Sequence, residues 1–327
     1  MRRPLIVAAS AAAAALVLSA CGTSEPAKAG SDAKSEKISV TGANGSKVSL
    51  DGPATKIVGT EWNVVESLVT LGVDPAGVAD VKGYKAWDTA APLTNSPKDV
   101  GTRGEPSMDS IAGLTPDLII ATNDLSASAI KQMKKIAPVL TVKSADGADQ
   151  VGTMFETLDT IAKATGKEDE AKAAKKAYES KLAEGKKVLK DAGADGSRIA
   201  TADGYSASNQ VSVRAFTSTS LLGSVNEDLG LKNAWKVKGD KDYGLATTDV
   251  EGLTGLGDDV RFTYIGNKKA GGSDVFTKDL ADNSVWTSLP FVKAGDVHRL
   301  ADGTWLFGGP KSMEHYIDGV VAALTKK

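Results

Sequence analysis

Residues 167–192, KEDEAKAAKKAYESKLAEGKKVLKDA, constrain the fold more than any other stretch. The run has no proline and is rich in Ala, Lys and Glu, all good helix formers. Ala171, Ala174, Tyr178, Leu182 and Leu189 recur at spacings of three, four and seven, which places them on one narrow helical face. Glu168, Asp169 and Glu170 open it and Lys186, Lys187 and Lys190 close it, in the sense the helix dipole favours. At 1.5 Å per residue the helix reaches about 39 Å, the span of a small domain. Charged over most of its circumference, it reads as a strut lying across or between two bodies; the alternative is a long surface helix of a single domain.

The N-terminus reads as a targeting segment. Arg2 and Arg3 precede a short, Ala-rich apolar run over residues 5–18, too short for a convincing membrane span. Leu18-Ser19-Ala20-Cys21 follows and is similar to a bacterial lipobox, the signal at which a peptidase cuts before a cysteine that is then acylated. Cys21 is the only cysteine, so no internal disulfide can form. The alternative is an ordinary secretory signal with an incidental cysteine. Residues 22–37, with almost no apolar bulk, read as a flexible tether. The expected mature protein is extracytoplasmic and held to the cell membrane by acyl chains.

Along the mature chain, residues 38–50 alternate around Asn44-Gly45, a strong hairpin signal. Strands are expected at 56–59, 78–80, 116–120 and 139–142, with helices at 61–71, 108–114, 126–136 and 151–164 and caps at Gly72 and Gly166. Residues 84–97 read as an irregular loop carrying an exposed Trp87. Beyond the strut, strands are expected at 198–201, 211–214, 260–265 and 297–300, and helices at 220–229, 248–256, 284–289 and 311–324. This alternation predicts an α/β fold of two Rossmann-like lobes joined by a single long α-helix. The expected divisions are a signal peptide at 1–20, lipidated Cys21 and tether at 21–37, an N-terminal lobe at 38–149, connecting helices at 150–192 and a C-terminal lobe at 193–327. An internal echo supports two lobes: MDSIAGL at 108–114, ending in Asp117-Leu118, matches VEGLTGL at 250–256, ending in Asp259-Val260. Chance remains an alternative for so short a match.

Residues 100–109, VGTRGEPSMD, followed by LTPDLII at 114–120, resemble a signature of the substrate-binding proteins of iron-siderophore, haem and cobalamin ABC importers. Glu61-Trp62, Asn233-Ala234-Trp235, VWTSLPFVKAG at 285–295 and GTWLFG at 303–308 are similar to the ferric-hydroxamate branch of that family. The resemblance covers nearly all of the mature chain. It implies the class III periplasmic-binding-protein fold, two α/β lobes on one long helix. It also implies a lipoprotein monomer that binds a ferric hydroxamate siderophore of desferrioxamine or ferrichrome type and delivers it to an ABC transporter permease.

A ferric trihydroxamate is compact and nearly neutral, and its iron is already fully coordinated. The protein therefore need supply no metal ligand and no cofactor, only an aromatic-walled cleft and a few donors aimed at the hydroxamate oxygens. In the hydroxamate branch the arginine at the place of Arg103 binds the siderophore, and a guanidinium can hold several oxygens at once. Trp87 matches a pocket tryptophan of the branch, Tyr243 stands where a tryptophan is frequent, and Trp305 lies in its last pocket motif. Each of the three could instead be a core or rim aromatic. Trp62 reads as core or as backing for the pocket, and Arg214 as a second donor from the C-terminal lobe. Two departures from the branch, Ala215-Phe216 for the usual Gly-Pro and Asn123-Asp124 for a frequent tyrosine, leave the siderophore open. Asp109 and Glu251, the leading acids of the echo, correspond to acids that pair with permease arginines in this family; alternatively they are helix N-terminal acids favoured by the dipole.

Other classes fare less well. A net charge of −2 without a dense basic face argues against nucleic acid. His298 and His315 are the only histidines and read as parts of a strand and a helix, so a zinc, copper or free-metal site is poorly provided for. Another iron complex (catecholate or citrate), haem or cobalamin is the main alternative cargo, and a catecholate complex would want more cleft cations than Arg103 and Arg214. An enzyme is disfavoured: FGGPKS at 307–312 lacks phosphate-loop spacing, and GYSAS at 204–208 lacks the second glycine of a nucleophile elbow.

Overall fold

Among the described residues a two-stranded hairpin is followed by two larger sheets, separated in sequence by two successive helices, the second of them long. The computed structural model describes residues 37–207, 210–267 and 274–325, so Cys21, the signal segment and residues 22–36 of the tether lie outside the described residues. The alternation at 38–50 becomes an antiparallel hairpin, β1 (Ile38–Thr41) and β2 (Lys47–Leu50). Gly45 takes the left-handed position of its turn at φ +74°, and Asn44 Oδ1 accepts from the Ser46 N–H at 3.1 Å.

The first lobe runs β3 (Ile57–Gly59), α1 (Trp62–Thr70), β4 (Gly77–Val78), α2 (Val81–Trp87), β5 (Lys98–Asp99), α3 (Met108–Leu114), β6 (Leu118–Thr122), α4 (Ala127–Met133) and β7 (Val139–Val142). Its strands form one parallel sheet in the order β5-β4-β3-β6-β7. β3, β6 and β7 are buried along their whole length, which is why they read as continuous apolar runs. The order reverses between β3 and β6, and a crevice opens outside the carboxyl ends of strands at such a point.

α5 (Gln150–Thr165) ends at Gly166, φ +66°, and α6 (Glu168–Asp191) is the expected strut. The second lobe follows as β8 (Arg198–Ala207), β9 (Gln210–Phe216), α7 (Leu221–Asp228), β10 (Lys232–Asn233), β11 (Leu245–Thr248), a 3₁₀ turn at Glu251–Leu256, β12 (Val260–Tyr264), a π-helical turn at Val275–Asp279, α8 (Ser284–Ser288), α9 (Pro290–Lys293), β13 (Val297–Arg299) and α10 (Pro310–Thr325). Its sheet, β11-β9-β8-β12-β13 with β10 beside β8, is mixed: β8 pairs with β12 in parallel but with β9 antiparallel.

Two local readings are corrected. Residues 84–97 do not begin as a loop: Tyr84 and Trp87 belong to α2, capped by Asp80, whose side chain accepts from the Gly83 N–H. That helix has little propensity of its own, with Gly83 inside it. Burial of Tyr84, whose hydroxyl donates to the Ala91 carbonyl at 2.6 Å, holds it in place. Residues 251–256 of the second echo wind as 3₁₀ rather than α, consistent with glycines at 252 and 255.

α6 buries Ala171, Ala174, Tyr178, Gly185 and Leu189. Tyr178 packs edge-on against Phe155 of α5, centroids 5.4 Å apart. At Gly185 a Cβ would stand 2.9 Å from Ile317 of α10 and 2.9 Å from Leu229. One apolar seam thus runs through α1, α5, α6, α7 and α10, joining the two lobes. Gly185→Ala should lose about 1 kcal/mol in chemical denaturation, since the added methyl meets the stiff Cγ2 branch of buried Ile317 as well as the end of Leu229, against the preference of a helix for Ala. Gly185→Leu should lose about 1–3 kcal/mol by overpacking the α6–α10 contact.

Candidate functional site

At the carboxyl ends of the parallel strands lies a hollow of about 430 Å³, walled from both lobes. The first lobe contributes Glu61, Trp62 and Asn63 beyond β3, Trp87 at the end of α2 and Arg103 beyond β5; the second contributes Arg214 on β9, Tyr243 and Leu245 at the entry to β11, and Trp305, Leu306 and Phe307 between β13 and α10. The six residues expected to meet ligand, Trp62, Trp87, Arg103, Arg214, Tyr243 and Trp305, therefore face one hollow although 243 positions separate the first from the last.

Trp305 is the hub of the wall. Its ring lies 4.6 Å from that of Trp62, 6.2 Å from Trp87 and 5.3 Å from Phe307, all near edge-to-face. Trp62 and Trp305 are 3 % and 7 % exposed, so they form the backing of the pocket, while Trp87 and Phe307 are half-buried and present more surface to it. The Trp62 indole N–H donates to the Ala79 carbonyl at 3.1 Å, which fixes that ring against β4.

Each guanidinium in the hollow is already matched to a carboxylate. Arg103 Nη1 donates to Glu61 Oε1 at 2.7 Å, and Arg103 Cζ lies 4.0 Å from the Trp62 ring centroid and 5.0 Å from that of Trp305. Gly101 at φ +96° and a bridge between Gly101 and Pro106 shape the Arg103 loop. Arg214 makes a two-pronged contact with Asp203 across the β8–β9 ladder, and its Cζ lies 5.4 Å from the Phe307 centroid. Burial raises the Asp203 carboxyl above its ordinary pKa, and Arg214 opposes that rise.

Tyr243 crosses between lobes. Its hydroxyl donates to the Asp124 carboxylate beyond β6, and burial with that neighbour raises its pKa. Gln150 Nε2 reinforces the crossing by donating to the carbonyls of Thr219 at 3.0 Å and Asp242 at 2.8 Å. On the opposite flank Asn267 Nδ2 donates to the Ala86 carbonyl at 2.7 Å, and the Thr89 N–H to that of Gly303 at 3.0 Å.

Sequence reading missed Glu61 and Asp203 as partners of the two arginines, and Asn63 and Phe307 as lining residues. Glu61 carried a signal, since it sat in the Glu61-Trp62 pair; Asn63 carried none, being one polar position of a helix. Asn63 Oδ1 is buried without a hydrogen-bond partner beside the hollow. Asp109 and Glu251 are not in the hollow: both are exposed, at the first turn of α3 and of the 3₁₀ turn. His298 lies in β13, and His315, in α10, is hydrogen-bonded to Thr304 Oγ1 at 2.7 Å. Among the described residues no group of three or more His, Cys, Asp or Glu side chains could hold a metal ion.

A profile of the periplasmic binding protein family matches residues 57–303. The chain is 32 % identical to the Fe(3+)-citrate-binding protein YfmC of Bacillus subtilis, over 92 % of this chain and 90 % of that one. It is 25 % identical to the iron(3+)-hydroxamate-binding protein FhuD of Escherichia coli, over 80 % and 84 %. Among solved structures, the Fe3+–Desferal-bound siderophore binding protein FhuD from Vibrio cholerae superposes with a TM-score of 0.73 at 25 % identity, covering 83 % of this chain and 98 % of that one. With two α/β lobes on a single long helix and a profile match across both of them, the chain belongs to the periplasmic binding protein family, a family of transporter binding proteins and not of enzymes.

Proposed function

We propose that this protein is an extracytoplasmic lipoprotein, anchored through Cys21, that captures a ferric hydroxamate siderophore in the interlobe hollow and delivers it to an ABC importer permease. The observation that carries the reading is the balance of the hollow: two guanidiniums, each paired with its own carboxylate, amid Trp87, Trp305, Tyr243 and Phe307. Such a cavity offers apolar surface and oriented N–H donors with little net charge. That suits a compact, nearly neutral complex whose iron is held by the siderophore. Asp109 and Glu251, exposed at the first turns of the two echoed units, are the acids proposed to meet permease arginines, with the protein acting as a monomer.

Ferric citrate is the second reading, favoured by the 32 % identity to a ferric-citrate-binding relative. A citrate complex carries more negative charge and would leave the Glu61 and Asp203 carboxylates opposed to it. Tryptophan-quenching titration against ferric desferrioxamine, ferrichrome, ferric citrate and a ferric tricatecholate separates the readings. Tightest binding of a hydroxamate supports the first; preference for citrate or the catecholate overturns it, and binding of none removes the site.

A further inference from the structure

Behind the aromatic wall two carboxyl groups meet in the protein interior. Glu66, on α1, is fully buried, and Asp88, directly after α2, is 1 % exposed. Glu66 Oε1 accepts from the Ser312 backbone N–H and its Oε2 from Ser312 Oγ, both at 2.8 Å, so it caps the amino end of α10 from the other lobe. The fit is close: a Cβ at Gly308 would stand 2.2 Å from Glu66 Oε2, and one at Gly309 would stand 3.1 Å from Oε1. Asp88 Oδ1 accepts from the Ala91 N–H at 3.1 Å. Asp88 Oδ2 is buried without a hydrogen-bond partner, and the side chains that act on Asp88 are the Glu66 carboxyl, itself an acceptor, and the Tyr84 hydroxyl. The Tyr84 hydroxyl of α2 faces both acids and lies against Asp88, while its proton goes to the Ala91 carbonyl. Among the described residues none of the principal groups acting on either acid is a cation; Ser312 of α10 and Gly309 just before it offer neutral donors.

Two buried carboxylates in contact without a cation cannot both stay ionised, whereas one shared proton turns acceptor against acceptor into a hydrogen bond. We propose that Glu66 and Asp88 are positioning residues of the ligand hollow, joined by a single shared proton, and that the pair sets the placement of Trp87 on one side and Trp305 and Phe307 on the other. Trp87 immediately precedes Asp88. Phe307 immediately precedes the two glycines pressed on Glu66, and α10 begins after them. The pair therefore locks an α1–α2 corner of one lobe to the segment of the other lobe that carries half the aromatic wall. Burial, with the other carboxyl close by, raises Asp88 well above the ordinary carboxylate range. The folded protein thus keeps a proton that the unfolded chain releases. The pair's contribution to stability is fullest below the ordinary carboxylate range and is lost as pH rises from there through about 10.

This inference rests on the ferric-siderophore reading for its ligand readout only. The full chain, its Asp88→Asn, Ser312→Ala and Gly308→Ala variants, and ferric desferrioxamine as probe test it. Infrared spectra near neutral pH should show a carboxylic-acid carbonyl band that Asp88→Asn removes. The denaturation midpoint of the parent should fall with rising pH, and that slope should flatten in Asp88→Asn. Parent affinity should fall at alkaline pH as the pair loses its proton, whereas affinity of Asp88→Asn should not. A merely structural role would leave that profile unmoved. Gly308→Ala, which drives a methyl into the Glu66 carboxyl, should weaken binding about tenfold or more and alter the near-ultraviolet dichroism of the tryptophans; Ser312→Ala, which folds with the backbone donor intact, should do so less. A parent without the acid band, or variants with parental affinity, pH profile and dichroism, would overturn the proposal. If the parent binds no ferric complex, the functional reading fails, and the infrared band and the dichroism of Gly308→Ala still decide this one.

Discussion

Arg103→Ala should weaken ferric hydroxamate binding by about 1.5–3 kcal/mol, roughly ten- to hundredfold, the range for a hydrogen bond to a charged group. The guanidinium carries five N–H groups in a fixed fork, and one of its nitrogens is held on Glu61 at 2.7 Å. The Trp62 face, 4.0 Å away, fixes the plane of the fork. The remaining donors are thus oriented before a ligand arrives, and little side-chain freedom is lost on binding. Removing Arg103 also strips Glu61 of its cationic partner and leaves a carboxylate, held only by the Trp62 N–H, facing hydroxamate oxygens. The double change Glu61→Gln with Arg103→Ala should therefore bind more tightly than Arg103→Ala alone. Fluorescence quenching of the four proteins completes the cycle. Parental affinity in Arg103→Ala would exclude the side chain from the site, and no recovery in the double variant would mean Glu61 does not act on ligand.

A large effect on stability is expected for Trp305→Ala, about 3–5 kcal/mol, because a buried indole is replaced by a void. Trp305 comes from the second lobe yet packs in a cluster with Trp62, Val65, Val78 and Tyr84 of the first. Its loss removes contacts to Trp62, Trp87, Phe307 and the Arg103 guanidinium together. Trp305→Phe should retain most of the stability, since Trp305 Nε1 has no hydrogen-bond partner to lose. Urea denaturation of the two variants distinguishes the cases. A Trp305→Ala midpoint close to the parent would show that the interlobe cluster contributes little.

What the sequence made legible follows the reach of its signals. α6 was readable because its charge and apolar spacing are local, and Gly166 and the Asn44-Gly45 turn because a single backbone position demands them. The aromatic and arginine positions of the hollow came from motif resemblance, and the structure brings all six to one place. Their partners were not legible. Glu61 lies 42 residues from Arg103, and Asp124 lies 119 from Tyr243. Nothing in a local pattern states such a pairing. α2 was missed because Tyr84 is held by burial, not by helix propensity. Glu66 was invisible for a related reason: an acid inside a nine-residue helix reads as a solvent-facing position, whereas α1 is buried at seven of its positions, Glu66 among them.

The lobes are stitched to one another on both flanks of the hollow, by Gln150 and Tyr243 on one side and by Thr89 and Asn267 on the other. Opening the jaws would rupture these bonds together, so swinging the lobes apart should cost more than keeping them as they stand. Releasing anything held between the halves should therefore draw on work from outside the protein.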